Sequence, residues 1–175
     1  MTDARIRAAA LEDADAVARV HVQVWQETYR GLMPDALLAG LSIEQRAEMW
    51  KRIITETCEA PTLWVSEDAD GEIVGFGCIG KSRDERLDAD GEVLAINLLE
   101  RVKRRGCGRA LFLHLLALLK QRGFVLAGLW VLTANEPARR FYETMGGRPG
   151  AIRSFDAEGG ALDEISYIWD LNQPG

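Results

Sequence analysis

Between residues 101 and 109 an otherwise acidic chain gathers five cations, Arg101, Lys103, Arg104, Arg105 and Arg109, around Gly106-Cys107-Gly108. Two glycines one residue apart let the backbone approach a ligand closely and turn several N–H groups the same way. The apolar-periodic stretch that follows, Leu111 to Arg122, adds the unpaired amides and the positive dipole end of a helix. A pyrophosphate is the group such a loop fits best. The competing reading is a solvated basic turn with an ordinary glycine cap, and spacing alone does not separate the two.

A second constellation follows the apolar run Val125 to Leu132, in Asn135-Glu136-Pro137-Ala138-Arg139-Arg140-Phe141-Tyr142-Glu143. Asn135 is a capping residue type and Pro137 suits a first helical turn. Tyr142 falls on the helix face of Asn135, because seven positions are nearly two turns. An amide and a phenol are thereby aligned beside the preceding strand; standing alone, the segment reads as a capping Asn and a core Tyr. Two familiar phosphate motifs fail on context. Gly75-Phe76-Gly77-Cys78-Ile79-Gly80 matches GxGxxG by letter, but Lys81-Ser82-Arg83-Asp84-Glu85 follows it where an apolar helix is needed. These glycines are expected inside a strand against which a helix or a ligand packs. Gly106-Cys107-Gly108 lacks the third glycine of the dinucleotide pattern, and no Walker-type loop occurs.

Periodicity supplies the elements that must hold these segments. Ala4 to Ala9 reads as a strand and Glu12 to Arg30 as a helix, with Val17, Val20 and Val24 on one stripe and His21, Trp25 and Tyr29 on another. Ser42-Ile43-Glu44-Gln45 is a capping box opening a helix to Glu56. Thr62 to Glu67 and Glu72 to Ile79 flank Asp70-Gly71, a two-residue hairpin signal. Glu92 to Leu99 is a strand covered on both faces, Leu111 to Arg122 a helix, Val125 to Leu132 a strand and Asn135 to Met145 a helix. Strands at Ala151 to Phe155 and Glu164 to Leu171 close the order β-α-α-β-β-β-α-β-α-β-β. Hairpins and crossovers alternate, so the class is α/β (α+β) with a mixed sheet, not a doubly wound one.

Composition narrows the function. At 175 residues, 47% hydrophobic and 27% charged, the chain has the size and balance of one globular domain. No apolar run reaches the roughly eighteen residues of a membrane helix, and none follows Met1 as a signal peptide would. Cys58, Cys78 and Cys107 lie scattered without CxxC spacing, and His21 and His114 are too few for a metal cage. The expectation is a reduced, cytoplasmic, metal-free protein. A net charge of −6 argues against generic nucleic-acid binding and favours cationic ligands.

Taken together, Gly91 to Gly146 resembles the acetyl-CoA-binding core of the GCN5-related N-acetyltransferases, the GNAT superfamily. That family's loop, Gln or Arg, two residues, Gly, one residue, Gly or Ala, is similar to Lys103-Arg104-Arg105-Gly106-Cys107-Gly108, with Lys103 a departure at the first position. Its Asn and later Tyr after the fifth strand are similar to Asn135 and Tyr142, and Leu129-Trp130-Val131-Leu132 also looks family-like. His21 to Trp25 and Tyr29 to Gly31 resemble one large bacterial branch. The resemblance implies a single N-acetyltransferase domain over residues 1–175, built on a GNAT fold with a mixed, roughly seven-stranded sheet flanked by about four helices.

It also implies roles. The backbone near Asn97, Leu98 and Leu99 would pair with pantetheine, and Asn97 would contact the acetyl group or simply pair with backbone. The amides of Arg104, Arg105, Gly106, Cys107, Gly108 and Arg109 would hold the pyrophosphate, with Lys103 beside it and Asn135 on the cofactor side. Cys107 would offer its N–H and not its sulfur. Tyr142 matches the family's general acid. Glu92 matches a base acting through water, against the reading of an exposed strand-end Glu, with His21 a rival base. His21, Trp25 and Tyr29 would line the acceptor site, the aromatics offering cation–π contact, against the equal reading of Trp25 and Tyr29 as core aromatics and of His21 as a partly buried packing residue. His114 reads as structural. The implied reaction is metal-free, direct transfer from acetyl-CoA to a primary amine of a small molecule or peptide in a ternary complex, with a backbone N–H near Leu98 for the oxyanion.

The alternative is a non-catalytic acyl-CoA-binding module with the same loop; a nucleic-acid-binding protein using Arg101 to Arg109 is the weaker rival. Neither a membrane nor a nucleic acid is expected as partner, and a homodimer agrees with the family. Two acidic groups, Asp84, Glu85, Asp88 and Asp90, and Asp156, Glu158, Asp163 and Glu164, read as solvated loops or as a mouth favouring cationic amines.

Overall fold

Seven strands, β1 (Arg5–Ala8), β2 (Thr62–Glu67), β3 (Ile73–Lys81), β4 (Gly91–Leu98), β5 (Leu126–Leu132), β6 (Arg148–Ala157) and β7 (Gly160–Asp170), form one sheet in the order β1-β2-β3-β4-β5-β7-β6. Every neighbouring pair is antiparallel except β4 and β5. The helices are α1 (Ala14–Thr28), α2 (Asp35–Ala39), α3 (Ile43–Thr55), α4 (Cys107–Gln121) and α5 (Glu136–Thr144). The computed structural model describes residues 5–56, 62–157 and 160–173. Cys58 and Glu158 lie outside the described residues.

Two cores sandwich the sheet. On one face Val17, Val20 and Val24 of α1 and Trp50 of α3 pack on Val65, Val74 and Phe76. On the other, Leu111, Phe112, Leu115 and Leu119 of α4 and Tyr142 of α5 pack on Ile79, Leu129, Tyr167 and Trp169. Close approach depends on glycine in β3: a Cβ at Gly77 would lie 2.4 Å from Leu115, which explains the glycine-rich strand and disposes of the GxGxxG reading.

Elements follow the local signals with physical exceptions. Ser42 Oγ accepts from the Gln45 N–H at 3.2 Å, the forward half of the capping box, and its hydroxyl donates to Glu44; the return bond from the Ser42 backbone N–H to the Gln45 side chain is not made among the described residues. The β2–β3 turn is longer than two residues. Asp68 N–H donates to Glu72 O, Gly71 N–H to Asp68 O, and Gly71 takes the left-handed region at φ +80°. The Asp68 carboxylate ties the turn by accepting from the Asp70 and Glu72 amides, favouring the type I plus left-handed form. Helix α2 carried too few periodic positions to register in the sequence.

Candidate active site

Parallel pairing of β4 with β5 is confined to Gly91–Ala127 and Glu92–Gly128. Beyond Glu92 the strands part, while β5 continues along β7. The register of β4 on β3 shifts at Cys78–Ile79, where β4 carries one residue more. That bulge bends the strand, so Leu94 and Ala95 both face the α1–α3 core while Val93 and Ile96 face the α4–α5 core. An open strand edge results, rich in unpaired backbone groups.

Which amides face the opening follows from one bond. Leu99 N–H donates to Val74 O at 2.9 Å, and Leu99 O accepts from Val102 N–H. With a strand period of two, Asn97 turns its backbone to β3 as well, and Ile96 and Leu98 turn theirs to the opening. Of the three residues expected to pair with a ligand's amides, Leu98 alone is so placed; Leu99 and Asn97 are committed to β3. Ile96 is the residue that sequence reasoning missed, because the bulge and not the residue type sets the phase. The Asn97 side chain is buried on the α1 face beside Phe76, its register partner, and makes no hydrogen bond among the described residues.

The basic loop leads from the end of β4 into α4, which begins at Cys107 and not at Leu111. Arg104 (φ +60°) and Gly106 (φ +89°) both sit in the left-handed region, the alternation that turns successive amides to one side. Gly106 provides no side-chain cap, and the Ala110 N–H closes the first helical bond onto Gly106 O. The amides of Cys107 and Gly108 therefore belong to the unpaired first turn. A Cβ on Gly108 would stand 3.7 Å from Leu98 and 3.9 Å from Phe141, so the loop, the open end of β4 and α5 converge there. The Cys107 side chain is buried in the α1–α3 core. Around the loop, Arg101 pairs with Asp68 (2.9 Å) and Lys103 with Glu100 (2.8 Å); Arg109 Nη1 lies 3.9 Å from the Met145 sulfur.

Helix α5 is placed by both of its ends. Asn135 Oδ1 accepts from the Ala138 N–H at 3.3 Å, so the cap is real. At the other end Gly146 takes φ +82° and the Gly147 N–H returns to Tyr142 O. Tyr167 donates to Glu143 at 2.6 Å, tying the helix to β7. Tyr142 is buried among Phe112, Phe141, Tyr167 and Trp169. Burial first, and then the neighbouring Tyr29, push its phenol well above the ordinary range. Its hydroxyl has no hydrogen-bond partner among the described residues.

Tyr29 belongs to the opposite layer, yet it is close enough to act on Tyr142. Its own phenol is raised by burial and then by Glu164 of β7. Glu92 stands at the apex of the β4–β5 parting, on the face of Trp130 and not of Val93. It is buried, with Oε2 accepting from the Arg83 N–H at 3.1 Å, and is not an exposed strand end. His21, Trp25 and Tyr29 form a ladder of rings 5.4 and 5.2 Å apart. Arg46 already covers Trp25, 5.7 Å from its ring centre. His21 is buried against Trp50 and Phe76, and its Nδ1 accepts from the Trp50 indole at 3.2 Å. The neutral ring then carries its proton on Nε2 and is a donor there, which speaks against His21 as a base. His114 stacks edge-on at 4.7 Å with Trp64, a packing position.

The acidic residues are mostly engaged within the protein. Asp90 accepts from the Val125 and Leu126 amides, setting the start of β5. Asp84 and Glu164 both bind Arg153, and Asp163 accepts from Ser154. A groove of about 440 Å³ runs between Gly31–Asp35 and Gly160–Leu162, just beyond Tyr29.

The sequence model of the Acetyltransferase (GNAT) family matches residues 23–146, a span from α1 through the opening and loop to the end of α5. The chain belongs to the GNAT acetyltransferase family. It is an N-acetyltransferase, 34% identical over 164 residues to the Bacillus subtilis protein named "Uncharacterized N-acetyltransferase YuaI", with 94% of this chain and 91% of that one covered. Among solved structures, the PaiA N-acetyltransferase of Thermoplasma acidophilum in complex with coenzyme A superposes with a TM-score of 0.71 at 18% identity, covering 93% of this chain and 98% of that one. YncA of Salmonella typhimurium, solved with acetyl-CoA, gives 0.73 at 17%, covering 99% and 96%. At such identities these two speak for a shared GNAT fold. In this GNAT member no helix among the described residues is long and apolar enough to cross a membrane.

Proposed function

We propose that this N-acetyltransferase uses acetyl-CoA and transfers the acetyl group directly to a primary amine of a small molecule or peptide in a ternary complex. The observation that carries the reading is the parting of β4 from β5 immediately beside the uncapped N-terminus of α4. One edge offers Ile96 and Leu98 amides to an extended, amide-bearing chain; the other offers the Cys107 and Gly108 amides to a pyrophosphate. The solved relatives that hold coenzyme A and acetyl-CoA support the same ligand.

The chemistry assigned to the residues follows from their state. Tyr142, kept protonated by its apolar surroundings, donates to the departing thiolate. The Leu98 N–H supports the oxyanion. Glu92, at the apex, draws a proton from the amine through water; the amine, with a pKa near 10, is mostly protonated at neutral pH and must lose that proton before attack. Cys107 takes no part in an acyl-enzyme, its sulfur being buried away from the opening.

Thermal shift with acetyl-CoA, free CoA and NADP tests the ligand. Saturation at about a hundred times Kd adds roughly 2.7 kcal/mol, several degrees in Tm. The CoA ligands are expected to raise Tm and NADP is not; no shift with acetyl-CoA would end the reading. CoA release across a panel of amines then separates the transferase from a module that binds and does not react.

Gly108 allows a sharper check. Its added Cβ would make only ordinary contacts, so Gly108→Ala should keep stability or raise it by up to about 1 kcal/mol, as Ala does in a helix. The loop that this segment resembles takes Gly or Ala at this position, so KM for acetyl-CoA should stay within about twofold of the wild type. A KM raised about tenfold or more in a stable variant would contradict the placement.

A further inference from the structure

One guanidinium on the acceptor face is held as if it were a ligand. Arg153 of β6 lies over the ring of Trp130 of β5, its Cζ 4.1 Å from the ring centre. Its Nε and Nη2 both reach Glu164 Oε2 of β7 at 2.7 Å, and its Nη1 reaches Asp84 Oδ2 of the β3–β4 loop at 2.6 Å. Asp84 also binds Arg86, at 2.9 Å. Face and edges of the cation are thus filled by an indole, a carboxylate accepting two N–H groups and a second carboxylate, while a quarter of its side chain stays open to solvent. The indole Nε1–H of Trp130 is buried without a partner, so that ring is held for its face and not for its N–H.

The cradle adjoins the proposed acceptor position. Glu164 is the register partner of Leu132 at the end of β5, and its charge helps to raise the Tyr29 phenol. Two residues before Glu164, Leu162 lines the groove that begins just after Tyr29. Trp130 lies two residues beyond Gly128 on β5, on the face of Glu92.

We propose that Arg153 is a specificity-determining residue: a built-in cation that plugs a cradle of Trp130, Asp84 and Glu164 and thereby excludes acceptors carrying a second cationic group. Trp25 likewise carries a guanidinium of the chain's own, that of Arg46, 5.7 Å from its ring centre. With Arg153 in place, the two carboxylates are balanced by two arginines. Without it, Arg86 stays on Asp84 and Glu164 has no other ion-pair partner among the described residues, so a net charge of −1 is left beside an open indole face, the combination that takes a guanidinium. The exclusion rests on the acetyl-transfer reading, because it places the acceptor on this face; the cradle itself rests on the geometry alone.

Calorimetric titration of the full chain and of Arg153→Ala with agmatine and with benzylamine tests it. Agmatine carries a guanidinium beside its primary amine, whereas benzylamine carries an apolar body. Agmatine is expected to bind the variant roughly tenfold more tightly than the wild type, with benzylamine changed by less than about twofold. The gain should vanish when Trp130→Leu is added. In turnover, the kcat/KM ratio of agmatine to benzylamine should rise by the same factor. Equal agmatine affinity in both proteins, or a gain that survives Trp130→Leu, overturns the proposal. Should Arg153→Ala fail to fold, Arg153→Gln is read by the same criteria. Acetyl-CoA titration of the wild type reports separately on acetyl transfer: its failure removes that reading, while the agmatine comparison still decides the cradle.

Discussion

Tyr142→Phe is expected to lower kcat by about 10²–10⁴-fold, the range over which a positioned proton donor contributes, with KM for acetyl-CoA held within about twofold. The substitution removes one oxygen and keeps the ring. Packing against Phe112, Phe141, Tyr167 and Trp169 should therefore survive. Because the hydroxyl has no hydrogen-bond partner among the described residues, its loss orphans no buried group, and Tm should stay within a few degrees. A large fall in kcat with unchanged Tm and KM is the signature of an interaction made only in the transition state. A kcat within about threefold of wild type would remove Tyr142 from the chemistry. Burial holds the phenol protonated throughout the neutral range, so no loss of activity from its ionisation should appear up to pH 9.

The second large effect falls on stability. His21 is buried, and burial, followed by the Arg46 charge, pulls its pKa down to about 4. In the unfolded chain an imidazole takes its proton near pH 6.5. Between these values the unfolded state binds more protons than the folded one, so stability falls as pH drops through the window. Above about pH 7 both states are neutral and His21 adds no pH dependence. The shift corresponds to about 3 kcal/mol lost by pH 4, enough to be seen in denaturant midpoints across the window. His21→Phe gives up the Trp50 hydrogen bond and with it some stability at pH 7, but it should flatten the slope between pH 6.5 and 4. An unchanged slope would mean that groups other than His21 carry the acid response in this window; Asp13 is not one of them, because its carboxylate, held low by Arg7, loses stabilisation only below the ordinary carboxylate range.

Much of the frame was legible in the residues. Apolar spacing marked all seven strands and four of the helices, since burial on one face imposes a period of two or about 3.6 on any sequence that folds this way. Asn135 at its cap, Gly106 in the left-handed region and Ser42 before α3 act over three or four residues, and such chemistry can be read without neighbours. The order of the loop motif, Asn135 and Tyr142 along one chain was enough to indicate the family.

Tertiary structure alone decided where that chemistry can work. The opening between β4 and β5 depends on a bulge and on a register only two pairs long, and neither is encoded in the residue types of Asn97, Leu98 or Leu99. The influence of Tyr29, just after α1, on the phenol of Tyr142 in α5 likewise arises only in the folded chain. The Arg153–Asp84 pair spans 69 residues, and from the sequence those acidic loops read as solvated or as a cationic lure. Local patterns report which atoms avoid water, because that constraint acts residue by residue. Which strand edge stays open and which charge already has a partner are properties of register and long-range packing, and they exist only once the sheet has closed.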